Sequence, residues 1–359
     1  MIINKFTSCI QNILSIRQCF TSIKNKKYNS TLDYNNKYKS DNKVSNNKQS
    51  KNKEFLYVIL PYFNYCYSMS RFKLFIEFVK RYTDNENIRI CIVEGRLKGD
   101  QYQLPDTLFN VYKHIAITID DPIWIKENLI NTMISMLPNN WKYVAWIDAD
   151  ITFLNTNWVN DTIEQLQKND IVQLFQTAVN MGPNGEAFKI DRSFGYMYRC
   201  SGHDWNKAHK YGFWHSGYAW ACTRNAYDSF GGLIDFGILG AGDHHMSLAF
   251  IGKVQMSHPD TIQDNYKKLL LKFQDKCLKN NLQLNYISGT IIHHWHGSLK
   301  NRKYVERWLI LTKNNYDPIE DVYYNEYGVL GLTEKGKRFV QMLQQYFNER
   351  NEDATVNDT

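Results

Sequence analysis

The chain has 359 residues, of which 43% are hydrophobic and 14% aromatic, enough apolar material for one large core or two modest ones. Its formal net charge of +7 is misleading, because residues 1–54 set ten lysines and Arg17 against only Asp33, Asp41 and Glu54. That leader accounts for more than the whole excess, so the rest of the chain is no basic nucleic-acid binder. The seven cysteines (9, 19, 66, 91, 200, 222, 277) are odd in number and scattered, with no Cys-x-x-Cys. This argues against a disulfide framework or a thiolate zinc site, and for a reducing compartment.

No run reaches 18 uninterrupted apolar residues, so no membrane-spanning helix is expected. Residues 2–20 space Ile3, Phe6, Ile10 and Leu14 as a targeting or peripheral membrane helix would, and equally as a frayed terminus would. Residues 22–54 are rich in Lys, Asn and Ser and poor in apolar side chains. They cannot bury enough surface to offset chain entropy, which predicts a disordered linker.

Order is expected from Phe55, with a short apolar strand closed by Pro61. Phe72, Phe75, Ile76, Val79 and Tyr82 then follow at helical spacing over 70–82, after Ser68 or Ser70 as cap. Further strands are expected at 88–93, 115–119, 143–147 and 171–175. Helices are expected over 123–137, where Pro122 sits in the first turn and Pro138 stops the pattern, and over 158–167. Alternating strand and helix signals imply parallel βαβ units in a layered α/β domain. Ligands in such sheets gather beyond the carboxyl ends of the strands, where Tyr62, Asn64, Glu94, Asp120, Asp148 and Asp150 lie. Residues 176–216 read as a long glycine-rich loop dense in His, Trp and Tyr, with Gly182, Gly185, Gly195, Gly202 and Gly212. A strand entering a helix is expected from Ser216 to Gly231-Gly232, and a glycine-rich turn opens another helix at Gly237–Phe250. A strand end at 291–296 and a final helix over about 334–347 complete the pattern.

The chemistry centres on Tyr143–Phe153, a strand ending in Asp148-Ala-Asp150. Alternation puts both carboxylates on one side, an arrangement that holds a hard divalent cation. Ile291–His296 ends in three imidazoles; in an extended segment His294 and His296 share a side while His293 faces away, and one neutral imidazole beside carboxylates suits Mn2+. Those rings also fit a plain core, stacked with Trp295. Asp243 follows Gly240-Ala-Gly242 at a helix start, where it serves either as an ordinary cap or as a general base. His244 and His245 stand behind it as fallback bases. Lys126 suits a phosphate but is by default an exposed helical lysine, and Trp205, Trp214 and Trp220 suit either sugar stacking or burial.

Pro-Tyr-x-Asn at 61–64, Val-Glu at 93–94, Lys-x-x-x-x-Asn at 126–131 and Asp-x-Asp come in that order, followed by Gly-Tyr-Ala-Trp-Ala-Cys, Gly-x-Gly-Asp and His-x-His-Gly. Over about 55–310 this order resembles the nucleotide-sugar glycosyltransferases of the GT-A fold. The likeness is to the β4-galactosyltransferase C-terminal module and to the polypeptide N-acetylgalactosaminyltransferases and chondroitin polymerases. The resemblance implies a Rossmann-like mixed sheet flanked by helices over 55–312, followed by a C-terminal helix and polar tail over 313–359. It implies a donor site at Pro61, Tyr62, Asn64, Glu94, Lys126, Asn131 and Asp148, and a metal, Mn2+ or Mg2+, held by Asp150 and His296 with Asp148 touching it directly or through water. Asp243, seconded by His244, would be the base of an inverting transfer from a UDP-sugar to a carbohydrate or glycoprotein acceptor lying on Trp214 and Trp220.

Where the galactosyltransferases carry Gly-Trp-Gly-Gly-Glu-Asp-Asp, this chain has Gly240-Ala-Gly-Asp-His-His. That departure leaves the base and the acceptor open. It also admits a competing resemblance to metal-dependent phosphoesterases named for an Asp-His-His motif, and a catalytically silent sugar-binding module is a third reading. The Golgi relatives carry a membrane anchor and paired cysteines, neither of which is evident in this chain. A soluble enzyme of the cytoplasm, in a microbial or viral setting, is the expectation.

Overall fold

Alternation along β1 (Leu56–Phe63) sends Tyr57, Ile59 and Phe63 into one apolar cluster, and Leu56, Val58, Leu60 and Tyr62 into another. A strand buried on both faces belongs inside a layered α/β arrangement. The computed structural model describes residues 54–354 except 106–109, 203 and 206–213. The expectation for a helix at 2–20, that for a linker at 22–54 apart from Glu54, and Gly212 of the expected loop lie outside the described residues.

In chain order β1 is followed by α1 (Met69–Tyr82), β2 (Ile88–Leu97), β3 (Lys113–Ile119), α2 (Lys126–Ser135), β4 (Tyr143–Ile147), β5 (Ile151–Phe153) and α3 (Trp158–Leu166). Next come β6 (Ile171–Gln173), β7 (Thr177–Met181), β8 (Ala187–Arg192), α4 (Phe194–Cys200), β9 (Ala219–Thr223), α5 (Arg224–Phe230) and α6 (Gly242–Phe250). The rest holds α7 (Asp264–Lys279), β10 (Leu284–Tyr286), β11 (Thr290–His293), α8 (Trp308–Lys313), β12 (Val322–Tyr324), β13 (Leu330–Leu332) and α9 (Val340–Glu349).

The main sheet has the order β10-β6-β9-β4-β1-β2-β3. Its strands run parallel except β9, which is antiparallel to both β4 and β6. The mixed, helix-flanked α/β sheet expected from the sequence is the one observed. A second sheet, β5-β11-β7-β8, stands beyond the end of β4 and carries Asn180 and His293.

Local chemistry explains the boundaries. Ser68 caps α1 by accepting from the Arg71 N–H, and α5 stops at Gly231, whose φ of 79° suits a residue without Cβ. The helix expected over 123–137 begins only at Lys126, because the Trp124 N–H is bonded to the Ile238 carbonyl instead. The loop expected over 176–216 contains a hairpin, β7 to β8, turning through Gly185 at φ 81°, and then α4. The amphipathic α7, burying Tyr266, Leu270, Phe273 and Cys277, was not foreseen. The helix expected over 334–347 divides into a 3-10 turn at Gly336–Phe339 and α9.

The residues after α9 return across the molecule. Asp353 accepts from the Ser68 hydroxyl and from the Met69 and Ser70 N–H groups at 2.7–2.9 Å, so it caps α1 from the far end of the chain. Glu352 pairs with Arg71 and Arg350 at 3.1 and 2.6 Å, and the Ala354 carbonyl accepts from Trp295 Nε1.

Candidate active site

Beyond β4 the Asp148 N–H donates to the Tyr218 carbonyl at 2.7 Å, which turns the chain out of the main sheet. Tyr218 holds an uncommon φ of 75° for a residue with a side chain, strain of a kind that gathers at functional sites. The chain then enters β5, paired antiparallel with β11 so that His293 faces Ile151, while His293 also registers with Asn180 on β7. This register fixes Asp150 beside two imidazoles. Asp150 Oδ2 is 2.8 Å from His296 Nε2 and 3.9 Å from His293 Nε2, and the two nitrogens are 3.3 Å apart.

Asp150, His293 and His296 are the one group among the described residues whose donor atoms could together hold a metal ion. The donors are one carboxylate and two imidazoles, a set suited to Mn2+ or a similar ion. Asp150 Oδ1 is buried with no partner among the described residues, a hydrogen-bonding defect that a bound cation would remove. Burial pushes the Asp150 carboxyl up, but His296 and His293 more than reverse this and hold it below the usual carboxylate range. The His293 imidazole is held well below its ordinary value, chiefly by burial, which keeps it neutral and free to ligate.

The tautomer of His293 follows from its neighbours. Asn180 donates through Nδ2 to Asp191, so its Oδ1 must accept from His293 Nδ1, 3.0 Å away, and from the Tyr218 hydroxyl. His293 Nε2 is left with its lone pair toward Asp150.

Two expectations change here. His293, not His294, shares a side with His296. β11 ends at His293, and the chain then turns to Gly297 at φ 90°, breaking the alternation on which the expectation rested. The His294 ring instead bonds Thr152 Oγ1 at 2.7 Å. Asp148 stands beside the cluster rather than in it, its Oδ1 2.7 Å from Lys126 Nζ.

Lys126 is buried rather than exposed, and it bridges two acids: Nζ also lies 2.9 Å from Asp243 Oδ2. Burial works against its charge, but Asp148 and Asp243 raise its ammonium well above the ordinary lysine range. Asp148 is pushed up to about 6 by burial, with Asp150 and Asp243 adding to the shift and Lys126 opposing it.

These groups face one cavity of about 530 Å³, within the range of small-molecule sites. Pro61, Tyr62, Lys126, Asp148, Asp150, Trp214, Asp243, His244 and His296 all line it. Asp243 Oδ1 and Trp214 Nε1 are buried and without a partner among the described residues. The Trp214 ring stacks on His244 at 5.4 Å, and burial lowers the His244 imidazole to about 4.

Four expected site residues lie elsewhere. Asn64 and Glu94 are buried behind the cavity wall and hold the 98–105 segment: Asn64 bonds Gln103, and Glu94 accepts from the N–H groups of Gln103 and Leu104. Asn131 ties α2 to Leu233 and Asp235. Trp220 is 2% exposed in the core, its indole N–H spent on the Ser216 carbonyl. Conversely Asn180, Asp191, His293, Arg302, Tyr304, Arg307 and Arg350 line the cavity and were not expected to. Of these only His293 carried a sequence signal, its place in the imidazole run.

No helix among the described residues is long and apolar enough to cross a membrane. No family model matches the chain, and no curated protein matches it. Solved structures with a partial likeness include a mutant Drosophila β1,4-galactosyltransferase 7 in complex with manganese, UDP-Gal and xylobiose (13% identity, 78% of this chain and 93% of that one, TM-score 0.36). Another is the glucosyl-3-phosphoglycerate synthase of Mycobacterium tuberculosis with Mg2+ and UDP (10% identity, 78% and 87%, TM-score 0.37). A third is a mannosyltransferase of Pyrobaculum calidifontis with GDP-Man and Mn2+ (12% identity, 94% and 76%, TM-score 0.38). At such scores the functional reading rests on this chain's own side chains.

Proposed function

We propose that the chain is a GT-A nucleotide-sugar glycosyltransferase that needs a divalent metal, Mn2+ or Mg2+. One observation carries the reading: a single cavity holds the Asp150–His293–His296 cluster, and in it one oxygen of Asp150 and one of Asp243 are unpartnered among the described residues. Asp150, His293 and His296 would hold the ion. When bound, it offsets the negative charge that builds on a departing diphosphate.

The chain's own groups supply the rest. Lys126 offers a buried ammonium to the diphosphate, with Asp148 holding it in place. Asp243 keeps Oδ2 on Lys126 and presents Oδ1, which has no partner among the described residues, to the acceptor hydroxyl. As the hydroxyl oxygen bonds the anomeric carbon, Oδ1 takes its proton, and the diphosphate leaves with the electron pair of the broken C–O bond. Trp214 Nε1 is available to a sugar oxygen, and the neutral His244 ring stacked on it fixes its plane. A UDP donor, the inverting outcome and a glycan or glycoprotein acceptor belong to the same proposal.

The phosphoesterase reading is weakened by His245. Its ring is fully buried between Ser257 Oγ and the Tyr266 hydroxyl at 2.7 and 2.9 Å, so Asp243, His244 and His245 do not converge on one point. The deciding experiment is thermal shift with a panel of UDP- and GDP-sugars, with and without Mn2+, followed by donor hydrolysis by wild type and Asp150→Ala. Metal-dependent stabilisation by one donor, with turnover lost in the variant, is the expected result; hydrolysis unchanged in Asp150→Ala overturns the metal assignment.

A further inference from the structure

Six cationic side chains line the cavity, and four are paired. Lys126 has Asp148 and Asp243, Lys189 has Asp191, and Arg71 and Arg350 share Glu352. Arg302 and Arg307 have no carboxylate within ion-pair distance among the described residues. Arg302 Nη2 lies 2.8 Å from His296 Nε2, so it belongs to the metal end.

Arg307 is the more demanding case. It is 9% exposed, its Nη1 reaches only the Tyr346 hydroxyl among the described residues, at 3.4 Å, and its guanidinium carbon lies 5.1 Å from the Tyr304 ring centre. Neutral partners of this kind do not repay the desolvation of a guanidinium, and a buried charge is expected to find an opposite one. Arg307 sits directly before Trp308, whose ring packs 5.8 Å from His245 on α6. That contact sets Arg307 beside α6, the helix whose first turn carries Asp243 and His244. Consistently, its charge adds to burial in holding the His244 imidazole down.

We infer that Arg307 is an oxyanion site on the acceptor side: the molecule presented to Asp243 carries a carboxylate, phosphate or sulfate that pairs with this guanidinium. The inference rests on the reading of Asp243 as the acceptor base. The same chemistry has a second source, the donor's own diphosphate, which already has Lys126 and Arg302 within its end of the cavity.

The test is a calorimetric titration of the full chain with inorganic sulfate, before and after saturation with UDP and Mn2+, for wild type, Arg307→Gln and Arg307→Lys. The loaded wild type should still bind sulfate, and Arg307→Gln should weaken that binding by about tenfold or more, the loss of one charge-assisted contact. Arg307→Lys should stay within about threefold, and UDP affinity should change less than about twofold in both variants. Loss of sulfate binding on loading with UDP, or UDP binding itself weakened about tenfold by Arg307→Gln, overturns the inference and gives Arg307 to the donor. Wild type that binds no UDP with Mn2+ removes the transferase reading instead; the sulfate titration of unloaded protein reports on Arg307 separately.

Discussion

Replacing Lys126 by methionine keeps the apolar stem and deletes the ammonium that separates Asp148 from Asp243. The lysine is 6% exposed, and its two contacts, 2.7 and 2.9 Å, are both charge-assisted. Breaking a buried ion pair by removing one partner costs about 3–5 kcal/mol, because the remaining charge is left desolvated. Two carboxylates would be left in this case, but burial has already raised Asp148 to about 6, so it can take up a proton and limit the loss. We expect Lys126→Met to destabilise by about 3–5 kcal/mol at pH 7 and by about half that at pH 5, where protonation relieves the repulsion. Urea unfolding at both pH values measures this, with the midpoint shift converted through the slope. Adding Asp243→Asn to the variant should recover about 1–2 kcal/mol, since one of the two stranded charges is then gone. A penalty below about 1 kcal/mol at pH 7, or no recovery in the double variant, would refute the picture of Lys126 as the shared counter-ion.

His293→Ala and His296→Ala should each lower Mn2+ affinity by about 10–100-fold or more in calorimetric titration, whereas His294→Ala, bonded to Thr152 instead, should stay within about threefold; equal losses in all three would refute the cluster. Trp220→Ala should cost about 3–5 kcal/mol of stability, while Trp214→Ala should leave the melting temperature within a few degrees and raise the acceptor KM, a contrast read by pairing thermal melts with initial rates. Glu127, 4% exposed, is raised from 4.5 to about 8 by burial and by the Asp243 carboxylate, against the pull of Lys126. The unfolded chain therefore releases this proton first, and stability falls as pH rises from about 4.5 towards 8. Glu127→Gln should flatten that decline by a few kcal/mol in urea midpoints at pH 5 and pH 8, and identical slopes would count against it.

The sheet was legible because its strands are short apolar runs closed by polar residues. Leu56–Leu60 and Tyr143–Ile147 both lie between turn signals, and their burial on two faces leaves no competing pattern. Asp150, Asp243 and Lys126 were legible because carboxylates and lysines after strands and glycines are chemically conspicuous. What local pattern could not supply was the pairing between distant segments. His293 turns inward because β11 registers with β5 and β7, segments more than a hundred residues earlier, and then departs from the extended form. Asn180 and Asp191 lie on a hairpin that the glycines of 182–185 made look like loop. Asn64 and Asn131 sit at sequence positions that suit a ligand, yet their amides are taken up by backbone and side chains of neighbouring segments, and Glu94 spends Oε1 on the N–H groups of Gln103 and Leu104. Trp220 shows the same limit, since an indole in a strand looks identical in sequence whether it faces a cavity or a core.

The return of residues 350–354 to the start of α1 has a consequence for the order in which the site is made. His293 and His296 leave the ribosome about sixty residues before Glu352 and Asp353, yet the positive φ at Gly297 is held against the backbone of Asn351 and Glu352. A Cβ at Gly297 would lie 2.8 Å from the Asn351 carbonyl oxygen, so the fit between the two segments is close. Domains generally fold as units, so the two imidazoles gain that support only when the chain has been made through residue 353. Completion of the cavity is therefore a long-range closure: Asp353 caps α1 while the neighbouring backbone of Asn351 and Glu352 abuts the turn that carries His296 beside Asp150.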